Sequence, residues 1–387
     1  MFLGSFVSFM AMNMHMITRG WLVLRLADDS PLALALVMMS FALPMTFMSA
    51  IGGVLADRIP RKHMVMASQG ATALMTVVLA TLDLTGIITF WQVLVIGVVN
   101  GSLVAFNMPS RQAIISDIVP EGSLMNAISL SNSAMNATRI LGPAVAGVLI
   151  IFIGTAGVFY LIAGTYVVSV LSMAMVRAGG TPAASSRGGL GRDIREGFAY
   201  ARSSPMLLGL IIMAFVPVLF GFSYYALLPA WAREALDVGP DGLGVLMMIM
   251  GIGALAGTLI LASMRNLKRK GIFLLSSCVG WGVALAVFSQ STSYATAALL
   301  LLFIGLVSSI FMSLNMTLMQ TNTKPEMRGR IMSIGMMTFG AMPLSAVPFG
   351  ALAERIGTPD ALFLSGILLA VFTVIFAFAY PSFRKIP

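Results

Sequence analysis

The chain has 387 residues, 58% hydrophobic and only 10% charged, with a mean hydropathy of +0.96; a soluble domain carries about 25% charged residues. One globule cannot bury that much apolar surface, so disordered, disulfide-framed and ordinary cytosolic architectures are excluded and a polytopic membrane protein is left. In a soluble chain the net charge of +9 would raise nucleic acid as a partner; here the placement of the 23 Lys and Arg carries the information, and no nucleic acid is expected.

Apolar runs of spanning length, about 20 residues, predict twelve helices in chain order: about 2–26, 32–56, 64–84, 90–108, 123–152, 157–177, 205–232, 242–264, 271–290, 294–319, 331–355 and 361–380. The first run holds Asn13, His15 and Arg19 and lacks a basic leader and a small-residue cleavage site, so it reads as a retained helix rather than a signal peptide. The connections alternate in basic content. Eighteen Lys and Arg, including Arg58, Arg61, Lys62 and Arg111, fall on one side, and three, Arg25, Arg233 and Arg355, on the other. Because cytoplasmic loops retain Lys and Arg, this split places both termini in the cytoplasm.

Residues 178–204 form the one long connection, marked by Gly179, Gly180, Pro182, Gly188 and Gly189, and divide the chain into six-helix halves at 1–177 and 205–387. The later part of this linker places Leu190, Ile194 and Phe198 at i, i+4 and i+8 beside Arg192, Arg195 and Arg202. It reads either as a short basic helix on the inner membrane surface or as a solvated linker.

The halves repeat one another. Gly97, Val99, Asn107, Met108 and Gln112 of the fourth helix recur as Gly305, Val307, Asn315, Met316 and Gln320 of the tenth, each displaced by 208. Gly-x-Leu triplets at Gly53, Gly147 and Gly257, with a related Gly350-Ala351-Leu352, fall late in every third helix. They point to three-helix units, alternately inverted, as in secondary transporters that rock about a site near the membrane midplane.

Residues 53–63, GVLADRIPRKH, resemble the loop signature between the second and third helices of the major facilitator superfamily, departing from it at Pro60. The segments NMPSRQAIISDIVP and NATRILGPAVAG within 107–147, with PEMRGRIMS at 325–333, resemble its enterobactin-exporter-like, transmembrane secretion effector branch. The resemblance implies an all-α membrane protein of twelve transmembrane helices in two pseudo-twofold six-helix halves, placed in the cytoplasmic membrane of a prokaryote. It also implies a conformational latch at Asp57, Arg58 and Arg61, although positive-inside anchoring explains the two arginines equally well. Gly142, Pro143 and Gly147 resemble the bending and packing motif of family exporters, with Thr138 where the pattern has a further Gly.

Arg19 and Arg139 lie inside spans, where a charge is costly enough to mark function. Ser8, Met12, His15 and Arg19 share one face of the first helix, Asn100, Asn107 and Arg111 one face of the fourth, and Asn132, Asn136, Arg139 and Pro143 one face of the fifth. With Asn315 of the tenth helix, these stripes are read as lining a cavity or helix contacts; the two arginines serve either an anionic or polar substrate or helix carbonyls. The seventh helix collects Phe215, Phe220, Phe222, Tyr224 and Tyr225 around Pro217 and Gly221, an adaptable wall for a bulky, partly apolar ligand. Trp231 reads instead as an interfacial aromatic. No carboxylate lies deep in a predicted helix, so a coupling proton would fall to His15, or coupling would run through Asp57, Asp117 or the substrate's own charge.

No Gly-Lys pair exists for a phosphate loop, and two His without HExxH make no zinc hydrolase, so neither an ATP-driven pump nor an enzyme is expected. No cofactor and no metal are expected either. The reading is a secondary active transporter exporting a small amphipathic molecule, drug-like or a siderophore, as a monomer in contact with membrane lipid. Import or facilitation of a small solute, and a nontransporting sensor or channel, stay open.

Overall fold

The computed structural model describes residues 2–56, 59–119, 123–175, 190–264 and 268–385; among them there is no β-strand. Fourteen α-helices follow in order: α1 (Phe2–Leu26), α2 (Pro31–Ala56), α3 (Arg61–Leu84), α4 (Phe90–Ile118), α5 (Leu124–Ala174), α6 (Leu190–Ser203), α7 (Pro205–Phe220), α8 (Ser223–Leu236), α9 (Pro240–Ser263), α10 (Lys270–Ser289), α11 (Tyr294–Thr321), α12 (Arg328–Gly340), α13 (Pro343–Ile356) and α14 (Thr358–Ala379). Among the described residues nine helical stretches are long and apolar enough to cross a membrane. Hydrocarbon offers no partner to a backbone N–H or C=O, so chains of this composition satisfy those groups within helices.

Four of the expected boundaries differ from the sequence reading. The fifth and sixth spans are one helical stretch that turns at Gly154, whose φ of 68° and ψ of 174° lie outside the helical region. Helical dihedrals persist through Pro143, so the departure from helix falls at Gly154. Nothing stands within 4 Å of where a Cβ would sit on Gly154. Gly154→Ala is therefore expected to cost roughly 1–3 kcal/mol through backbone strain alone, read as a lower unfolding temperature of the purified protein.

The expected spans at 205–232 and 331–355 are each two helices, α7 with α8 and α12 with α13. At the first break the amides of Gly221 and Phe222 both donate to the Pro217 carbonyl, so the ladder slips by one residue there; Pro217 has no N–H to give the Met213 carbonyl one turn earlier. The freed Phe220 carbonyl accepts from the Ser365 hydroxyl of α14, which lies 2.6 Å from the Ser223 hydroxyl. Hydropathy averages over such a break. At the second, Pro343 starts α13. α4 continues through Ile118, ten residues past its predicted end, and this carries Arg111 into a helix rather than a loop.

The chain divides into two compact units, Met1–Ser186 with Val238–Met248, and Arg187–Asp237 with Ile249–Pro387. In the first, α1 and α3 pack on α5 and α2 packs on α4. Small residues set these contacts, because lipid supplies no hydrophobic drive between helices and close backbone approach has to do so. A Cβ on Gly97 would meet Ser40 of α2, and one on Gly101 would meet the Phe41 carbonyl. In the second unit the duplicated glycine Gly305 of α11 abuts the Met250 carbonyl of α9, while Gly253 and Gly257 of α9 abut the carbonyls of Leu302 and Leu306. Gly282 of α10 and Gly366 of α14 face each other's helices in the same way.

Within the linker, α6 is helical from Leu190. Gly197 packs on Arg330 and Ile334 of α12, Glu196 pairs with Arg330 at 2.8 Å, and the Tyr200 hydroxyl accepts from the Lys324 amide. Arg195, Phe198 and Arg202 share its exposed face. Residues 176–189, and with them most of the expected flexible stretch, lie outside the described residues.

Candidate functional site

In the first unit a run of polar side chains is buried among α1, α3, α4 and the second half of α5. Gln69 donates through Nε2 to Ser8 Oγ at 3.0 Å, and Asn107 donates through Nδ2 to Ser68 Oγ at 2.9 Å. These bonds join α1 to α3 and α3 to α4. The Ser169 hydroxyl of α5 donates to the Gly4 carbonyl of α1 at 2.8 Å. Arg111, only 3% exposed, lies over the Phe9 ring at 5.2 Å, and Arg19, 8% exposed, lies over the Phe41 ring at 5.0 Å. The buried Tyr166 of α5 is in electrostatic range of both arginines. His15 stacks its ring at 5.3 Å from that of Phe159.

These groups border a narrow cleft of about 30 Å³. Ser8, Gln69, Asn107, Arg111 and Tyr166 supply polar atoms to its wall, and Phe9, Met12, Val104 and Met108 supply apolar ones. A few placed polar groups on an otherwise apolar wall is the make-up of a small-molecule site. Several of its atoms have no hydrogen-bond partner: Arg111 Nε and Gln69 Oε1 in the cleft itself, and His15 Nε2, Arg19 Nη1 and both side-chain atoms of Asn100 further along. Buried polar atoms are satisfied in the great majority of cases, so this concentration marks hydrogen-bonding capacity held open.

The predicted residues separate. His15, Arg19 and Asn107 join the buried cluster. Asn132, Asn136 and Arg139 lie on an exposed face of α5, outside it, and Pro143 of the same stripe is buried. In the second unit Tyr224 is buried edge-on to Tyr225, with ring centroids 6.2 Å apart. Asn315 is buried with Oδ1 unpartnered and Nδ2 at 3.9 Å from Met319 Sδ. Asp57 and Arg58 fall outside the described residues, and Arg61 is the first residue of α3. The glycine motif packs: Gly142 approaches Asn13 of α1, Gly147 approaches the Pro240 carbonyl at the start of α9, and Gly244 of α9 approaches the Pro143 carbonyl.

Trp231 overturns its reading as an interfacial aromatic. It is fully buried, donates to the Ser289 carbonyl at 2.8 Å and packs on Phe288, so it ties α8 to α10. Two contributors, Gln69 and Tyr166, were not singled out from sequence, where they stand as isolated polar residues in apolar runs; Arg111, counted among the basic loop residues, was also grouped with Asn100 and Asn107 on one polar face, and the structure keeps that grouping. A buried carboxylate was missed as well: Asp83 at the end of α3 pairs with Arg25 of α1 and accepts from the Thr155 hydroxyl of α5.

The model of the family described as "Transmembrane secretion effector" matches residues 1–385. The chain belongs to that family. It is 23% identical over 365 residues to Macrolide efflux protein A of Streptococcus pyogenes, covering 92% of this chain and 89% of the relative. It is 26% identical over 385 residues to the Staphyloferrin A transporter of Staphylococcus aureus, covering 97% and 94%. The crystal structure of the nucleoside transporter NupG superposes with a TM-score of 0.74 at 15% identity, over 100% of this chain and 98% of that one, which shows the major facilitator fold. The chain is thus an integral membrane protein and a secondary transporter, not an enzyme.

Proposed function

We propose that this transporter exports a small amphipathic molecule, drug-like or a siderophore, across the cytoplasmic membrane. In this reading it alternates access between residues 1–177 and 205–387, with 178–204 as a cytoplasmic linker, both termini inside and a monomer as the working unit. The observation that carries the reading is the cleft at Arg111 and Tyr166, a mostly apolar wall with a few buried polar groups set into it. Two relatives named for macrolide efflux and staphyloferrin A transport support it.

In the same reading His15, Arg19, Asn107, Asn132, Asn136, Arg139, Tyr224, Tyr225 and Asn315 meet the substrate along its path. Asp57, Arg58 and Arg61 latch the inner side when the path opens outward, and Gly142, Pro143 and Gly147 hold the fifth span in close packing. A proton gradient drives the cycle. Energised cells expressing the protein should expel a fluorescent amphipathic dye faster than cells without it, and collapsing the proton gradient should stop the efflux; dye uptake instead of efflux would reverse the assigned direction. Asp57→Asn should lower the efflux rate at least tenfold at unchanged expression, because an anchoring role needs no carboxylate. Wild-type efflux by that variant would remove the latch.

A further inference from the structure

The geometry points to the cleft at Arg111 as a carboxylate site, which makes the exported molecule an amphipathic organic anion. Its charged end docks on Arg111 and Tyr166, and its apolar body lies against Phe9, Met12, Val104 and Met108. This names the substrate class of the cleft and rests on the export reading.

Arg111 is almost completely withdrawn from water, its Nε has no acceptor, and among the described residues no carboxylate pairs with it. The ion pairs Arg25–Asp83 and Arg330–Glu196 join other residues. Arg19, the second buried guanidinium of the unit, likewise keeps Nη1 without an acceptor, and the buried Tyr166 lines the same wall as Arg111. Two buried cations with no neutralising carboxylate among the described residues bear a large desolvation cost. An anion that enters for part of the cycle relieves it. Helix carbonyls are the usual alternative partners, but the Arg111 Nε bonds to none.

The chemistry of the donors narrows the anion. A guanidinium presents a planar fork that matches the two oxygens of a carboxylate. In the same wall Gln69 donates to Ser8 and leaves Oε1 open, an acceptor for a hydroxyl or N–H beside the carboxylate. Phe9 stacks under the guanidinium and holds the fork in place.

The test uses purified full-length protein in a neutral detergent with 2-naphthoate and 2-naphthamide, which share shape and differ in charge. Saturable thermal stabilisation by 2-naphthoate is expected, with at least tenfold weaker binding of 2-naphthamide. Arg111→Gln should weaken 2-naphthoate at least tenfold while its ligand-free unfolding temperature stays equal to or above wild type, since an unneutralised buried charge is removed. A residue that only braces helices would show the reverse, a lower unfolding temperature with unchanged binding. Tyr166→Phe, which removes one hydroxyl, should weaken 2-naphthoate several-fold and keeps the test decisive if Arg111→Gln does not accumulate. Equal binding of acid and amide, or wild-type binding by either variant, overturns the carboxylate site. Efflux of the neutral dye Nile Red by wild-type cells separates the two readings. If Nile Red is expelled and acid and amide bind alike, export stands and the anion site falls. If acid and amide are distinguished but neither Nile Red nor 2-naphthoate is expelled, the site stands and export falls.

Discussion

Gly147→Val is expected to reduce efflux at least tenfold and to lower the unfolding temperature of the purified protein, whereas Gly164→Ala on the same helix should change neither for the worse. A Cβ at Gly147 would run into the carbonyl of Pro240 at the start of α9, and Gly244 one turn further along α9 stands against the Pro143 carbonyl in return. Two backbones therefore meet with no side chain between them, and neither carbonyl is the far end of a chain that can swing aside. Overpacking in a well-packed core costs about 1–3 kcal/mol. Here the obstacle is backbone, so the upper part of that range applies. Gly164 has nothing within 4 Å of its would-be Cβ, and alanine is the better helix former by about 1 kcal/mol. Thermal unfolding followed by size-exclusion chromatography, with dye efflux in parallel, reads both effects. Wild-type efflux and stability in Gly147→Val would show that the close approach is not needed.

Arg25→Ala is expected to destabilise the first unit more than Asp83→Ala does. The Asp83 carboxylate is about 1% exposed and joins three helices, taking the Arg25 guanidinium of α1 and the Thr155 hydroxyl just after the Gly154 turn. Breaking a fully buried ion pair costs about 3–5 kcal/mol. The Arg25 side chain is 56% exposed, so water receives the orphaned cation and the cost falls towards the roughly 1–3 kcal/mol of a lost charged hydrogen bond. Removing Arg25 instead leaves the carboxylate buried with only the Thr155 hydroxyl bonded to it, so that loss stays nearer the roughly 3–5 kcal/mol of an uncompensated buried charge. The double variant should lose less than the sum of the singles, as coupled partners do. Additive losses would show that the two residues act separately.

Much of the architecture was legible in the residues. Spanning length and the displacement of 208 between Gly97 and Gly305 gave the helices and the duplication. The packing around both glycines agrees: each lies where α4 or α11 closes on α2 or α9. The breaks at Gly221 and Gly340 were not legible as breaks, because hydropathy sums over a whole span and is indifferent to where the ladder of backbone bonds is interrupted. Ser365 could not be recognised as the group that satisfies the freed Phe220 carbonyl, since it sits 145 residues away.

The polar residues show the same division. Periodicity correctly grouped Ser8, Met12, His15 and Arg19 on one face, and Asn100, Asn107 and Arg111 on another. It gave the Asn132, Asn136 and Arg139 face of α5 equal standing, yet that face is exposed while the other two faces meet at Gln69 and Tyr166. Spacing along one helix fixes which side chains point the same way and is silent on which neighbouring helix that direction meets. Composition and periodicity by themselves determined a polytopic helical membrane protein built as a duplication with a few costly polar residues, and the resemblance of residues 53–63 and 107–147 supplied the transporter family. The tertiary structure decided which of them converge, because burial and the absence of a partner are properties of several helices brought together.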